Sequence, residues 1–146
     1  MHLVFRLLWI PSLTALCIFT ESMTLRLLLL ALFVGVAVAA VVELNSESYP
    51  QVTGDASKVV FVKVYADWCG HCQALVGPYK EVGEHFAGND KVVIAKFNAP
   101  DNEDYARNVL QIRSFPTLFF YKNGQKQDFS GERTKSGIVS FIESNL

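Results

Sequence analysis

The sequence predicts an α/β fold, a central mixed β-sheet flanked by helices on both faces. Three observations carry this. Residues 58–65 (KVVFVKVY) and 91–97 (KVVIAKF) are nearly unbroken β-branched and aromatic runs, the pattern of strands buried on both faces. Between them, Leu75, Tyr79, Val82 and Phe86 recur at spacings of four, three and four, which is one face of a helix. Further on, Asn123-Gly124 joins two short strand candidates and is a strong hairpin signal.

The elements follow in order. Residues 41–44 form a short strand before a turn at Asn45-Ser46, and residues 49–52 form one helical turn. The strand at 58–65 carries one misfit, Lys63. A helix is predicted from Cys69 to about Phe86, kinked by Pro78, which lacks an N–H to donate. Gly88-Asn89-Asp90 ends it, and the strand at 91–97 follows. Pro100-Asp101-Asn102 turns the chain into a short helix over 103–110, whose acidic residues sit at its positive end. Residues 114–116 break the chain, 117–122 (TLFFYK) form a strand, and 125–130 return antiparallel. Thr134 caps a last helix that turns Ile138, Phe141 and Ile142 inward. Strand–helix alternation closed by a hairpin gives the mixed sheet.

The 146 residues allow one domain. With 51% hydrophobic and 18% charged residues, disorder is excluded. A net charge of -1 without a basic stretch argues against nucleic acid as a partner. The apolar excess lies at the front, in two runs within residues 1–42. The second has a positive flank at Arg26, an apolar stretch, and Ala37-Val38-Ala39 as a small-x-small cleavage site. Residues 1–39 are therefore expected to be an apolar extension and signal peptide cut after Ala39, with Met23 as the working start. The alternative is an uncleaved anchor over residues 27–42, slightly short of the ~20 residues a spanning helix needs. The membrane is a partner only in that case. Residues 40–146 form the globular domain.

Of three cysteines, Cys17 lies in the front and Cys69 and Cys72 in the domain. A disulfide closing so small a loop restrains the unfolded chain little, so a structural staple is disfavoured. Zinc needs four ligands and there is no second cysteine pair. A haem attachment needs His directly after the second cysteine, and Gln73 stands there. Redox chemistry remains, with the Cys69–Cys72 pair as its own redox centre and no metal or organic cofactor. The thiolate is the reactive form, and an ordinary thiol with a pKa of ~8.5 is mostly protonated at neutral pH. Cys69 sits where a helix begins, and unpaired N–H groups and the dipole there favour a negative charge. His71, in the same turn, adds positive charge when protonated. Cys72, one turn on, is expected to be more buried and to act as the resolving thiol.

Tyr65-Ala66-Asp67-Trp68-Cys69-Gly70-His71-Cys72 resembles the active site of the protein disulfide isomerase family, in the thioredoxin superfamily. The resemblance extends over the whole domain. Pro78 falls where that family kinks its active-site helix, and Ile112-Arg113-Ser114-Phe115-Pro116-Thr117 is similar to the loop before its cis-proline. Lys122-Asn123-Gly124 matches its hairpin, and Phe129-Ser130-Gly131-Glu132-Arg133 the region after it. The resemblance implies a thioredoxin-like fold with Cys69 as attacking and Cys72 as resolving thiol. It implies a cis Pro116 against the cysteines, presenting the Phe115 backbone to an extended peptide. Arg113 would swing towards Cys72 and lower its pKa, and Trp68 would shape the substrate surface; taken alone, Trp68 reads as core packing.

Two departures matter. The family usually places a buried carboxylate six residues before the first cysteine, and Lys63 stands there. Lys63 is expected either to snorkel out or to act as a base with a lowered pKa. Lys96 matches the lysine that normally partners that carboxylate, so two lysines face each other as the proton-transfer candidates. Release of mixed disulfides is expected to be slow, and Lys63→Glu to speed turnover. The second departure is Asp67, in place of the usual Pro, whose carboxylate opposes thiolate formation. His85 reads as a helix-surface residue, the Tyr105, Phe119, Phe120 and Tyr121 cluster as packing, and residues 101–104 as a helix start.

The expected function is thiol–disulfide oxidoreduction of the isomerase type in the lumen of the endoplasmic reticulum. Its partners would be unfolded or misfolded clients with thiols or disulfides, and glutathione or an upstream oxidase. The alternatives are a thioredoxin-like reductase and a redox-dependent chaperone or client-binding module. Because residues 143–146 are not a Lys-Asp-Glu-Leu-type signal, secretion or a lumen-facing anchor is the alternative location.

Overall fold

The computed structural model describes residues 40–146. The expectations for residues 1–39 lie outside these. Among the described residues, no helix is long and apolar enough to cross a membrane.

The elements are β1 (Val42–Leu44), α1 (Ser48–Thr53), β2 (Val59–Tyr65), α2 (Gly70–Ala74), α3 (Val76–His85), β3 (Val92–Asn98), a 3₁₀ turn (Pro100–Asn102), α4 (Glu103–Asn108), β4 (Thr117–Lys122), β5 (Gln125–Asp128) and α5 (Lys135–Ser144). The five strands lie in the order β1-β3-β2-β4-β5. β3 runs parallel to both β1 and β2, while β4 is antiparallel to β2 and β5 to β4.

The apolar run in β2 explains its central place. Six of its seven residues are buried. Phe61 faces one core layer with Tyr79 and Val82 of α3 and Ile138 and Ile142 of α5. Val60, Val62 and Val64 face the other, with Tyr49 of α1 and Ala106 of α4. Each such side chain contributes roughly 1.5–3 kcal/mol through burial. The expected cluster of Phe119, Phe120 and Tyr121 divides between these two layers, with Tyr105 half-buried against the second.

The helix expected from Cys69 to Phe86 is two helices that meet at Leu75. Pro78 cannot donate to the Ala74 carbonyl, and its ring crowds that group, so the break falls just there. Pro78 is then the third residue of α3, where an N–H would have no partner within the helix. The hairpin turns through Asn123 at φ 53° and Gly124 at φ 70°, the two left-handed residues of a type I′ turn. The Thr134 hydroxyl accepts from Gly137 N–H at 3.1 Å and starts α5.

Candidate functional site

β2 delivers the chain to the upper edge of the sheet, where residues 66–68 lead into α2. Cys69 caps that helix in an extended conformation, and its sulfur accepts the Cys72 N–H at 3.3 Å. The cap is thus also the reactive atom. The Phe115–Pro116 bond is cis, Pro116 is buried, and the Cys69 thiol donates to the Phe115 carbonyl at 3.6 Å. Two segments 46 residues apart in sequence meet at one sulfur.

The thiols differ in character. The hydrogen bond from the Cys72 thiol, followed by the backbone N–H groups of Cys72 and His71, holds Cys69 below the ordinary thiol value against the opposing effect of burial. Burial foremost, and then its bond to Cys69, push the Cys72 thiol up to about 11. Cys72 is 2% exposed. The expectation of a more buried second thiol holds. The His71 side chain is exposed, and its backbone N–H helps hold the Cys69 thiol down. Gly70 opens α2, and a Cβ there would meet open space, which leaves approach to the cysteines clear. The Asp67 carboxylate, expected to oppose the Cys69 thiolate, accepts a hydrogen bond from the Asn98 amide at 3.2 Å.

Trp68 is not core packing. It is 73% exposed and rests edge-on against Phe115, with ring centroids 5.7 Å apart. The two rings border a groove of about 420 Å³ that continues over Ala99, Pro100 and Ile112. Arg113 is exposed and lines a different groove, with Lys126 and Asp128; it is not among the residues around Cys72. His85 lies on the surface, 3.0 Å from Glu143. Asp101 sits in the 3₁₀ turn and Asp104 in the first turn of α4.

Lys63 does not snorkel out. It is 4% exposed, because β2 is covered on both faces and the side chain ends within a cavity beneath α3. Its Nζ lies 4.8 Å from the Tyr79 ring centroid and 5.2 Å from that of Tyr65. Strand register places Glu43, Lys96 and Lys63 in one row across β1, β3 and β2. The lysines face each other as expected, but Lys96 pairs with Glu43 at 2.5 Å. That bond raises the Lys96 pKa, which suits a fixed cation and not a proton acceptor. Burial first, then the Lys96 charge, lower that of Lys63. Lys63, Lys96, Tyr79 and Cys72 line one cavity of about 340 Å³. Glu43 carries no local sequence signal, since a three-residue strand is too short to show a pattern and the row forms only when the sheet pairs; Tyr79 shows in the sequence only as a core position of the helix.

The thioredoxin family matches residues 40–144. Protein disulfide-isomerase of Gallus gallus is 39% identical over 104 residues, covering 69% of this chain and 20% of that protein. The probable protein disulfide-isomerase A6 of Medicago sativa is 38% identical over 75% of this chain and 30% of that protein. The chain thus spans about a fifth to a third of the length of these relatives. Among solved structures, the first thioredoxin domain of mouse protein disulfide-isomerase A4 superposes with a TM-score of 0.63 at 26% identity, over 73% of this chain and 75% of that one. Human ERp44 gives a TM-score of 0.63 at 26% identity, over 71% of this chain and 30% of that one. By these matches the chain belongs to the thioredoxin family, and the matched region is homologous to domains of the protein disulfide-isomerases.

Proposed function

We propose that the chain is a thiol–disulfide oxidoreductase that oxidises and rearranges disulfides in proteins of the secretory pathway. The observation that carries this is the asymmetry of the pair, with Cys69 lowered and beside the Phe115 carbonyl, and Cys72 raised and buried. In oxidation, a client thiolate attacks the Cys69 sulfur of the Cys69–Cys72 disulfide and Cys72 leaves as a thiol after taking up a proton. A second client thiolate then displaces Cys69 as its thiolate, and the client disulfide forms. A lowered Cys69 pKa favours this direction, because it stabilises the leaving group. In isomerisation, Cys69 attacks a client disulfide, and Cys72 resolves the mixed disulfide if no rearrangement follows. Trp68, Phe115 and Pro116 form the surface that receives the client chain. Arg113 is proposed to approach Cys72 only as a client binds. The apolar segment ahead of the domain supports delivery to the endoplasmic reticulum lumen, with glutathione disulfide or an upstream oxidase restoring the pair.

The test is recovery of reduced, denatured ribonuclease in a glutathione buffer, using the 146-residue chain. Accelerated recovery that vanishes with Cys69→Ser, and mixed disulfides that accumulate with Cys72→Ser, are the expected results. No acceleration by the unaltered chain would reject this function in favour of client binding without turnover.

A further inference from the structure

Beneath α3 and behind the cysteine pair lies the cavity of about 340 Å³ that holds Lys63. That volume is within the ~300–1,000 Å³ typical of small-molecule sites. Lys63 enters from β2, almost fully buried. Its Nζ meets the ring faces of Tyr79 and Tyr65, 4.8 and 5.2 Å from their centroids. Ring faces favour a cation, but they offer no lone pair to the donors of an ammonium. Among the described residues, no carboxylate oxygen lies within 4.0 Å of this Nζ, and no hydrogen bond joins it to another residue.

A buried charge without a counter-ion is costly. The groups that could supply one are engaged elsewhere. Glu43 pairs with Lys96 and accepts the Tyr65 hydroxyl at 3.3 Å. Glu84 pairs with Lys80 at 3.4 Å, and the Asp67 carboxylate accepts the Asn98 amide at 3.2 Å. The Tyr79 hydroxyl donates to the Ala95 carbonyl at 2.6 Å. The Cys72 thiol also lines the cavity, but burial pushes it up to about 11, so it carries no charge at neutral pH. The remaining walls are carbon: Val41, Ala66 and Val76. Val76 and Gln73 are exposed, so the cavity opens to solvent on their side.

We propose that this cavity binds a small organic anion, a single carboxylate on an apolar body, with the Lys63 ammonium as its counter-ion. The site is separate from the groove at Trp68 and asks no reaction of either sulfur, so it stands independently of the proposed function. Charge and shape select the ligand. Lys96 and Lys80 already have carboxylates, which leaves one uncompensated cation and suits a monoanion over a phosphate dianion. A bare inorganic ion would satisfy Lys63 but leave the carbon walls facing water. An apolar body covers them and displaces that water, while the carboxylate reaches the ammonium away from bulk solvent, where the attraction is stronger.

The test follows para-fluorobenzoate by ligand-observed fluorine NMR at pH 7 and constant ionic strength, with the full 146-residue chain. Saturable broadening in the millimolar range is expected, with the neutral isostere para-fluorobenzamide at least about ten-fold weaker. Lys63→Met keeps similar volume without the charge, and should weaken the acid by at least about ten-fold and abolish its advantage over the amide. Lys126→Gln is the control. That amine also lies over a ring, 4.7 Å from the Phe119 centroid, but on β5 and outside the cavity. Its loss should change affinity by less than about two-fold. Absence of saturable binding by the unaltered chain would overturn the proposal. So would equal binding of acid and amide, or unchanged binding of the acid by Lys63→Met. If Lys63→Met does not fold, the comparison of acid with amide on the unaltered chain decides.

Discussion

Lys63 and Lys96 occupy paired positions on adjacent parallel strands, and only Lys96 has a carboxylate beside it. The consequence for stability can be read separately from any effect on turnover. The folded pKa of Lys63 lies below its ordinary 10.5, so the unfolded chain binds more protons. Lys63 therefore weakens the fold at neutral pH, and that penalty fades as pH rises towards 10.5. Lys63→Met should stabilise the chain by about 1–2 kcal/mol at pH 7 and by less at pH 10. Urea unfolding at the two pH values checks this.

The Cys69–Cys72 asymmetry predicts ordered chemical modification. Under limiting iodoacetamide at pH 7 to 8, Cys69 should be alkylated first and Cys72 only after unfolding, as peptide mass spectrometry would show. The raised Cys72 pKa has its own stability signature. Its contribution is complete below the unfolded thiol value of ~8.5 and is lost as pH climbs towards about 11. Cys72→Ala should lose less stability over that window than the unaltered reduced chain.

Trp68 should matter for clients and not for folding. With 73% of its surface exposed, Trp68→Ala should change unfolding free energy by no more than about 0.5 kcal/mol. It should raise KM for a disulfide-bridged peptide about five-fold, with kcat little altered. A large fall in melting temperature would contradict the placement.

Two glycines of α3 should respond in opposite ways. A Cβ at Gly83 would meet Ala40 O and Val41 Cγ2 at 2.5 Å, so Gly83→Ala should cost about 1–3 kcal/mol. Nothing lies within 4 Å of the equivalent position at Gly77, so Gly77→Ala should be neutral or add up to about 1 kcal/mol. Parallel thermal melts of the two variants settle it.

Local patterns in this chain are strong where one element carries its own instructions. The nearly unbroken apolar run in 58–65, the Asn123-Gly124 pair and the Thr134 cap each specify backbone geometry within a few residues, and the structure follows them. The reactive pair is legible for the same reason: Cys69 and Cys72 are one helical turn apart, so a single N–H can reach the first sulfur. Pro78 also acts locally, but where the helix yields depends on the carbonyl four residues back, and the break falls at Leu75.

What only the tertiary structure decided is the environment behind the pair. Whether Lys63 reaches solvent depends on what covers β2 from both sides, and no single segment contains that information. Glu43 is drawn to Lys96 by the register of β1 against β3, a pairing of residues far apart in the chain. Trp68 shows the same limit. Its side-chain type alone suggested a core indole, yet exposure is set by neighbours brought in from elsewhere. Sequence determines which groups can react; packing determines their solvation and partners, and so which of them hold protons.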